Sequence, residues 1–208
     1  MSNVEMRYFF PALKKFFFLF LCCIFSFSFI HSDEIKGIVT DLQGSLENVV
    51  IYIEKIDGKT FSPPLEPVIL TQSGLVFVPH ILPVLVGTEV SFPNEDVVLH
   101  NVFSPGFVGD FNLGTYPQGT TKIKIFDKPG VVLLLCNVHL EMSAFILVVE
   151  TPYFVVTDLD GKFILRNVPP GKYSLAAWHE KMRLQTKEIE VLDTGSVNIN
   201  FQMRKKQP

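Results

Sequence analysis

From residue 33 to residue 203 the chain contains no convincing stretch with the three-to-four-residue apolar period of a helix. It reads instead as short alternating or unbroken apolar runs, closed by Gly, Pro, Asn and Asp. That texture confines the fold to β architectures, with one sandwich or two as the ordinary solution. The first run alternates at Ile35, Gly37 and Val39, turns at residues 41–44, and resumes at Val49, Ile51 and Ile53. "FSPPLEP" is a Pro-rich connector that cannot sit inside a sheet. "TTKIKIFDKPG" places Ile123 and Ile125 on one face and lysines on the other, and "VVLLLC" reads as a strand buried on both faces. Beyond residue 150 turn signals recur at Asp160-Gly161 and Pro169-Pro170-Gly171, and "SVNINFQM" alternates to the end.

The first 32 residues have a different character. Arg7, Lys14 and Lys15 precede a mainly apolar run over residues 16–30, and acidic residues resume at Asp33. This pattern predicts a secretory signal over residues 1–32 and hence an exported, periplasmic or otherwise extracytoplasmic protein. The run is short for a membrane span, which needs roughly 20 apolar residues. Left uncleaved, it would be the one point of membrane attachment. Leu21 before Cys22 argues against lipidation there. Without that segment the charge changes from −3 to −5, with 15 basic and 20 acidic residues. No basic patch stands out, and nucleic acid is not expected as a partner.

Cys22 and Cys23 fall inside the signal, which leaves Cys136 as the single exported thiol. It cannot form an internal disulfide. Burial as a small hydrophobe is one reading and metal ligation the other. Cys136, His139 and Met142 lie within seven residues, and thiolate, imidazole and thioether together suit copper cycling between two oxidation states. The trigonal His2Cys plane with a weak axial Met lacks one imidazole here. His100, in "NEDVVLHNVFS", stands 36 residues upstream, far enough for a loop and two strands to return it to the same pole. His31 lies in the signal, His80 reads as a loop or strand-edge residue, and His179 as a surface or hydrogen-bonded one. Met142 could equally be core filler. No phosphate-binding glycine loop, paired-carboxylate motif or nucleophile elbow is present.

Phe77-x-Pro79, Gly87-Thr88, Phe92-x-Asn94, His100-Asn101-Val102, Phe126-x-x-x-Gly130 and Cys136-x-x-His139 followed by Met142 occur in that order. In this order the set resembles the plastocyanin/azurin-type cupredoxins over residues 68–150. The resemblance implies a Greek-key β-sandwich holding one type 1 copper per chain. His100, Cys136 and His139 would be equatorial ligands and Met142 the axial one, with Asn101 tying the two ligand loops together. Met142 follows His139 by three residues, where plastocyanins commonly have five. His139 would be the electron port, with Leu140, Phe103, Pro105 and Phe107 as an apolar rim for a docking redox protein.

The flanks carry a second resemblance. "IKGIVTDLQGSLENVVIYIE" and "TDLDGKFILRNVPPGKYSLAAWHE" are similar to the early and later strands of a carboxypeptidase-regulatory-like domain, a prealbumin-like sandwich. Two strands alone are marginal in water. The economical layout is therefore one discontinuous sandwich, residues 34–60 plus 151–203, with a cupredoxin over 66–150 inserted in it. The alternative gives the first strands to the cupredoxin, so that it is only flanked by the C-terminal module. The two layouts differ in whether residues 49–53 pair beyond residue 152 or with residues 84–92. The combination also resembles bacterial exported methylamine-utilisation or plastocyanin-like proteins. It implies a one-electron carrier between redox partners and no enzyme, because five histidines leave none for a catalytic copper cluster. Copper storage or delivery, and a β-sandwich binding module without redox function, are the competing expectations.

Overall fold

A computed structural model of the chain describes residues 34–106, 108–193 and 195–207. The signal segment with its expected membrane attachment, Cys22, His31 and Phe107 therefore lie outside the described residues. Eighteen strands succeed one another: β1 (Glu34–Thr40), β2 (Val50–Ile53), β3 (Val68–Ile69), β4 (Thr71–Ser73), β5 (Val76–Val78), β6 (Ile81–Leu85), β7 (Thr88–Pro93), β8 (His100–Ser104) and β9 (Phe111–Tyr116). They continue as β10 (Thr121–Phe126), β11 (Gly130–Leu135), β12 (Ser143–Val149), β13 (Phe154–Val156), β14 (Lys162–Arg166), β15 (Gly171–Trp178), β16 (Gln185–Val191), β17 (Ser196–Asn198) and β18 (Phe201–Gln202). Among the described residues there is no α-helix.

Four sheets build two sandwiches. In the flanking one, β14-β1-β17, with β18 also on β1, faces β13-β2-β15-β16. Val50–Ile53 lies between β13 and β15, with Phe154 opposite Tyr52 and Ala177 opposite Ile51. The two ends of the chain thus share one core, in which Ile35 and Val39 meet Ile51, Leu175 and Phe201. Gly37 interrupts the β1 pattern for a steric reason: an added Cβ would overlap the Ile199 carbonyl oxygen. In the central sandwich, β10-β7-β3 faces β6-β12-β11-β8-β9, and β4-β5 forms a small hairpin. Its core joins Val90 and Phe92 of β7 to Leu134 and Ile146 of the opposite sheet.

A third apolar layer joins the two sandwiches. Val50, Ile81, Leu147, Val149 and Trp178 are buried together, with Tyr52, Phe145 and Phe154 against them. This explains why the β2 and β12 sequences are nearly unbroken apolar runs. Ile51 and Ile53 serve the flanking core while Val50 serves the seam. Likewise Ile146 and Val148 face the central core, and Leu147 and Val149 the seam. A strand buried on both faces cannot alternate.

One expectation is corrected and another gains its sense. The "VVLLLC" run is fully covered on one face only: Val132 and Leu134 are buried, whereas Val131 is exposed and Leu133 and Leu135 are half-buried. The seam is centred on β12, so β11 meets only its margin. In β10 the alternation holds, and the register shows which face is the inner one. Lys122 and Lys124 register with buried Phe92 and Val90, and Ile123 and Ile125 face outward, each 52% exposed. β10 is an edge strand, where inward-pointing charge discourages pairing with other chains. The Lys124 ammonium lies 5.7 Å and 5.9 Å from the Phe111 and Phe126 ring centres, so its stem caps the margin of the core.

Candidate metal centre

One pole of the central sandwich gathers the rare side chains. Residues 94–99 form the loop that delivers His100 to the first position of β8, and Asn94 shapes that loop from within. Its buried amide donates to the carbonyls of Val98 (2.8 Å) and Tyr116 (3.1 Å), and its side-chain oxygen accepts the Asp96 N–H (3.0 Å). The Asp96 carboxylate then accepts from His100 Nε2 at 2.8 Å and from the N–H groups of Gly74 and Leu75 at 2.7 and 2.9 Å. The backbone hydrogen bond from Leu75 is the largest influence on this carboxyl; with His100 and Gly74 it outweighs the opposing effect of burial and holds Asp96 below the ordinary carboxylate range. With a proton on Nε2, the fully buried His100 ring presents the lone pair of Nδ1 inward.

The second loop closes on itself. Cys136 follows the last residue of β11, and its N–H donates to the Met142 carbonyl (3.3 Å), while the Met142 N–H donates to the His139 carbonyl (3.1 Å). The Cys136 sulfur lies 4.0 Å from His100 Nδ1, and His139 Nδ1 lies 3.1 Å from the same atom. One donor atom from each of the three residues lies within 4.8 Å of the others. A trigonal ion with bonds of ~2.0 Å to nitrogen and ~2.3 Å to sulfur requires separations of roughly 3.5–3.7 Å, so the three donors fit one ion with small adjustments. Two imidazole lone pairs at 3.1 Å repel each other unless a proton or cation lies between them. Met142 is fully buried in the same apolar cluster as Cys136. Tyr116, opposite His100 across β8 and β9, has its hydroxyl pushed up to about 12, mainly by burial and in part by the Cys136 charge.

His100, Cys136 and His139 therefore converge at one pole, and Met142 is tied to Cys136 and His139 there through its backbone. Asn101 does not bridge the two loops. Its amide donates to the Asn112 side-chain oxygen on β9 at 2.8 Å, and its own buried oxygen has no protein partner among the described residues. β8 and β9 pair irregularly at this point, between Asn101 and Phe103. The loop-shaping task falls to Asn94 and Asp96, neither of which has the side chain of a soft-metal ligand. The available signal was the turn-forming "NED" four to six residues before the histidine.

Exposed apolar side chains stand beside the ligands in sequence, among polar ones such as Asn137 and Glu141. Val97 and Leu140 are 87% and 85% exposed, and Leu99 and Val138 are about half exposed. They flank His100 and His139 in sequence, and those two rings stand 4.8 Å apart. Of the expected rim, Pro105 is exposed and Phe103 half-buried. His179 is buried, and its Nδ1 accepts the Lys181 N–H at 3.1 Å.

A β-sandwich with a His–Cys–His cluster at one pole has the arrangement expected of a cupredoxin-like fold and forms a candidate metal centre. The second module has its own match, for residues 142–204 fit the carboxypeptidase regulatory-like domain family. Solved structures similar to the chain include a copper-containing nitrite reductase from Thermus scotoductus (28% identity, TM-score 0.40), of whose length the chain spans 25% with 48% of its own. A mutant of amicyanin in its reduced state (20%, TM-score 0.38) is matched over 39% of this chain and 81% of that one. A purple cupredoxin from Nitrosopumilus maritimus (24%, TM-score 0.36) is matched over 39% and 98%. No curated protein matches the sequence.

Proposed function

We propose that the protein is an exported type 1 copper protein that carries single electrons between redox partners. One observation carries this reading: His100 Nδ1, His139 Nδ1 and Cys136 Sγ converge from two loops on a volume the size of one ion. Copper bound there would supply reversible one-electron chemistry through a soft thiolate bond. The residues do the rest. Asp96 and Asn94 fix the His100 ring before any ion arrives, and the bonds closing residues 136–142 fix Cys136 and His139. A site that does not rearrange between oxidation states keeps the barrier to electron transfer low. The collar of Val97, Leu99, Val138 and Leu140 suits brief docking of a redox protein beside half-buried His139. The flanking sandwich is read as a scaffold for this centre, formed by residues 34–60 and 151–203, and the protein as a carrier without catalysis of its own.

The test is spectroscopic. The Cu(II)-loaded protein is expected to absorb intensely in the visible, and Cys136→Ser to abolish that band while leaving the strand content unchanged. A colourless Cu(II) complex of the intact protein overturns the assignment. Rapid surrender of Cu(I) to a mild chelator would point to storage or delivery instead.

A further inference from the structure

His80 joins the two sandwiches behind the copper loop. It precedes β6, and its ring places Nδ1 3.1 Å from the Ser143 carbonyl oxygen and Nε2 3.3 Å from Oε1 of Glu180. A carbonyl and a carboxylate both only accept. The ring thus spans a carbonyl of the central sandwich and a carboxylate of the flanking one. The carbonyl of His80 in turn accepts the Phe145 N–H at 2.8 Å, and its ring stands edge-on to Phe145 at 5.8 Å. His80 thus grips residues 143–145 with both its backbone and its side chain.

The far anchor belongs to the other module. Glu180 follows β15 of the flanking sandwich, with its side chain 16% exposed. Burial pushes its carboxyl up, but hydrogen bonds and charge from His80 and Lys181 outweigh this and hold it below the ordinary range. Phe145 continues the connection through an edge contact with Trp178 at 5.8 Å. Met142 therefore sits between two sets of constraints. On one side are its own bonds to Cys136 and His139; on the other is Ser143, held through His80 to Glu180.

We infer that His80 and Glu180 form a positioning clamp through which the flanking sandwich fixes the Met142 end of the metal loop. The clamp gives the second module a function in the first. The inference rests on the copper reading for its consequence, since the distance of a weak axial Met tunes the potential and the spectrum of such a centre. The clamp is made of protein groups alone and is tested first without metal.

The experiment uses the full chain with Glu180→Gln, His80→Gln and, as control, Lys181→Gln, which removes the other cation on Glu180. Amide hydrogen exchange of the metal-free proteins is expected to rise about 5- to 10-fold at residues 142–146 in the first two variants, the equivalent of losing one hydrogen bond. It should stay unchanged there in the control. With Cu(II) added, the visible and electron-spin spectra and the reduction potential of the two clamp variants should shift together, and the double variant should shift no further than either single one. Unchanged exchange at 142–146, or a rise spread evenly over both sandwiches, overturns the clamp. Local exchange that rises while spectra and potential stay fixed overturns its positioning role. If the unaltered protein gives no intense visible band, the electron-carrier reading fails, and the exchange measurement still decides the clamp.

Discussion

The two sandwiches bury similar apolar cores but differ in their polar content. Among the described residues the central one encloses Gln72, Thr88, Ser91, Asn94, His100, Asn101 and Ser104, and the flanking one Thr151, Thr157 and His179. All four buried side-chain atoms without a protein partner among the described residues, on Gln72, Thr88, Asn101 and Ser104, belong to the central sandwich. Thr151 and Thr157 are satisfied locally: Thr151 donates to the Ile53 carbonyl, and Thr157 accepts the Val49 N–H and donates to the Leu46 carbonyl. Buried polar groups cost stability and are retained where they specify a geometry. The flanking sandwich is thus built to be stable, and the central one spends part of its stability on holding a site.

If that contrast is right, damage to the flanking core should unfold the chain without retuning the site. Phe201 is fully buried there and packs between β1 and the opposite sheet. Phe201→Ala is expected to cost about 3–5 kcal/mol, read as a lowered denaturation midpoint in urea. Below the transition the copper spectrum should be that of the unaltered protein. A retuned spectrum at full folding would break the comparison.

The converse belongs to Asp96. Asp96→Asn keeps the shape but removes the anion that orders the His100 ring and accepts the Gly74 and Leu75 N–H groups. A supporting partner of this kind is worth about 10- to 100-fold in metal affinity. Competition with a chelator should show that loss, while the thermal midpoint moves less than for Phe201→Ala. An affinity unchanged within about twofold, far short of that range, would mean that Asp96 serves the loop and not the ring.

What could be read from the sequence follows the rarity of the residues and the regularity of their surroundings. Cys136, His139 and His100 were legible because few side chains can hold a soft ion and few histidines are available. Ile35 and Val39, or Phe201 and Met203, were legible because a half-buried strand alternates. The sense of β10 was not, since alternation fixes which residues share a face and the sheet edge decides which face turns inward. The partner of Asn101 was hidden because it lies across an irregular pairing of β8 and β9. His80 and Glu180, far apart in the chain, meet only because β12 is buried on both faces. No local pattern records such a meeting.

The smallest expected effect concerns acid. Burial is the main cause that depresses His179 below its ordinary value, reinforced by Lys181, His80 and Lys206 and partly opposed by Glu180. The hydrogen bond that its Nδ1 accepts from the Lys181 N–H requires the neutral ring. A histidine depressed by folding contributes stability that is complete above about pH 6.5 and is lost as pH falls through the folded value. Glu180, also depressed, contributes stability that is complete above about pH 4.5 and is lost further down. Thermal midpoints measured from about pH 7.5 to about pH 4 should therefore fall in two stages. His179→Gln should remove part of the upper stage and Glu180→Gln part of the lower. Both groups lie in the flanking module, so the metal-free chain should show both stages. A fall that appears only in the copper-loaded protein would place the acid sensitivity at the central site and reverse the division of labour between the two sandwiches.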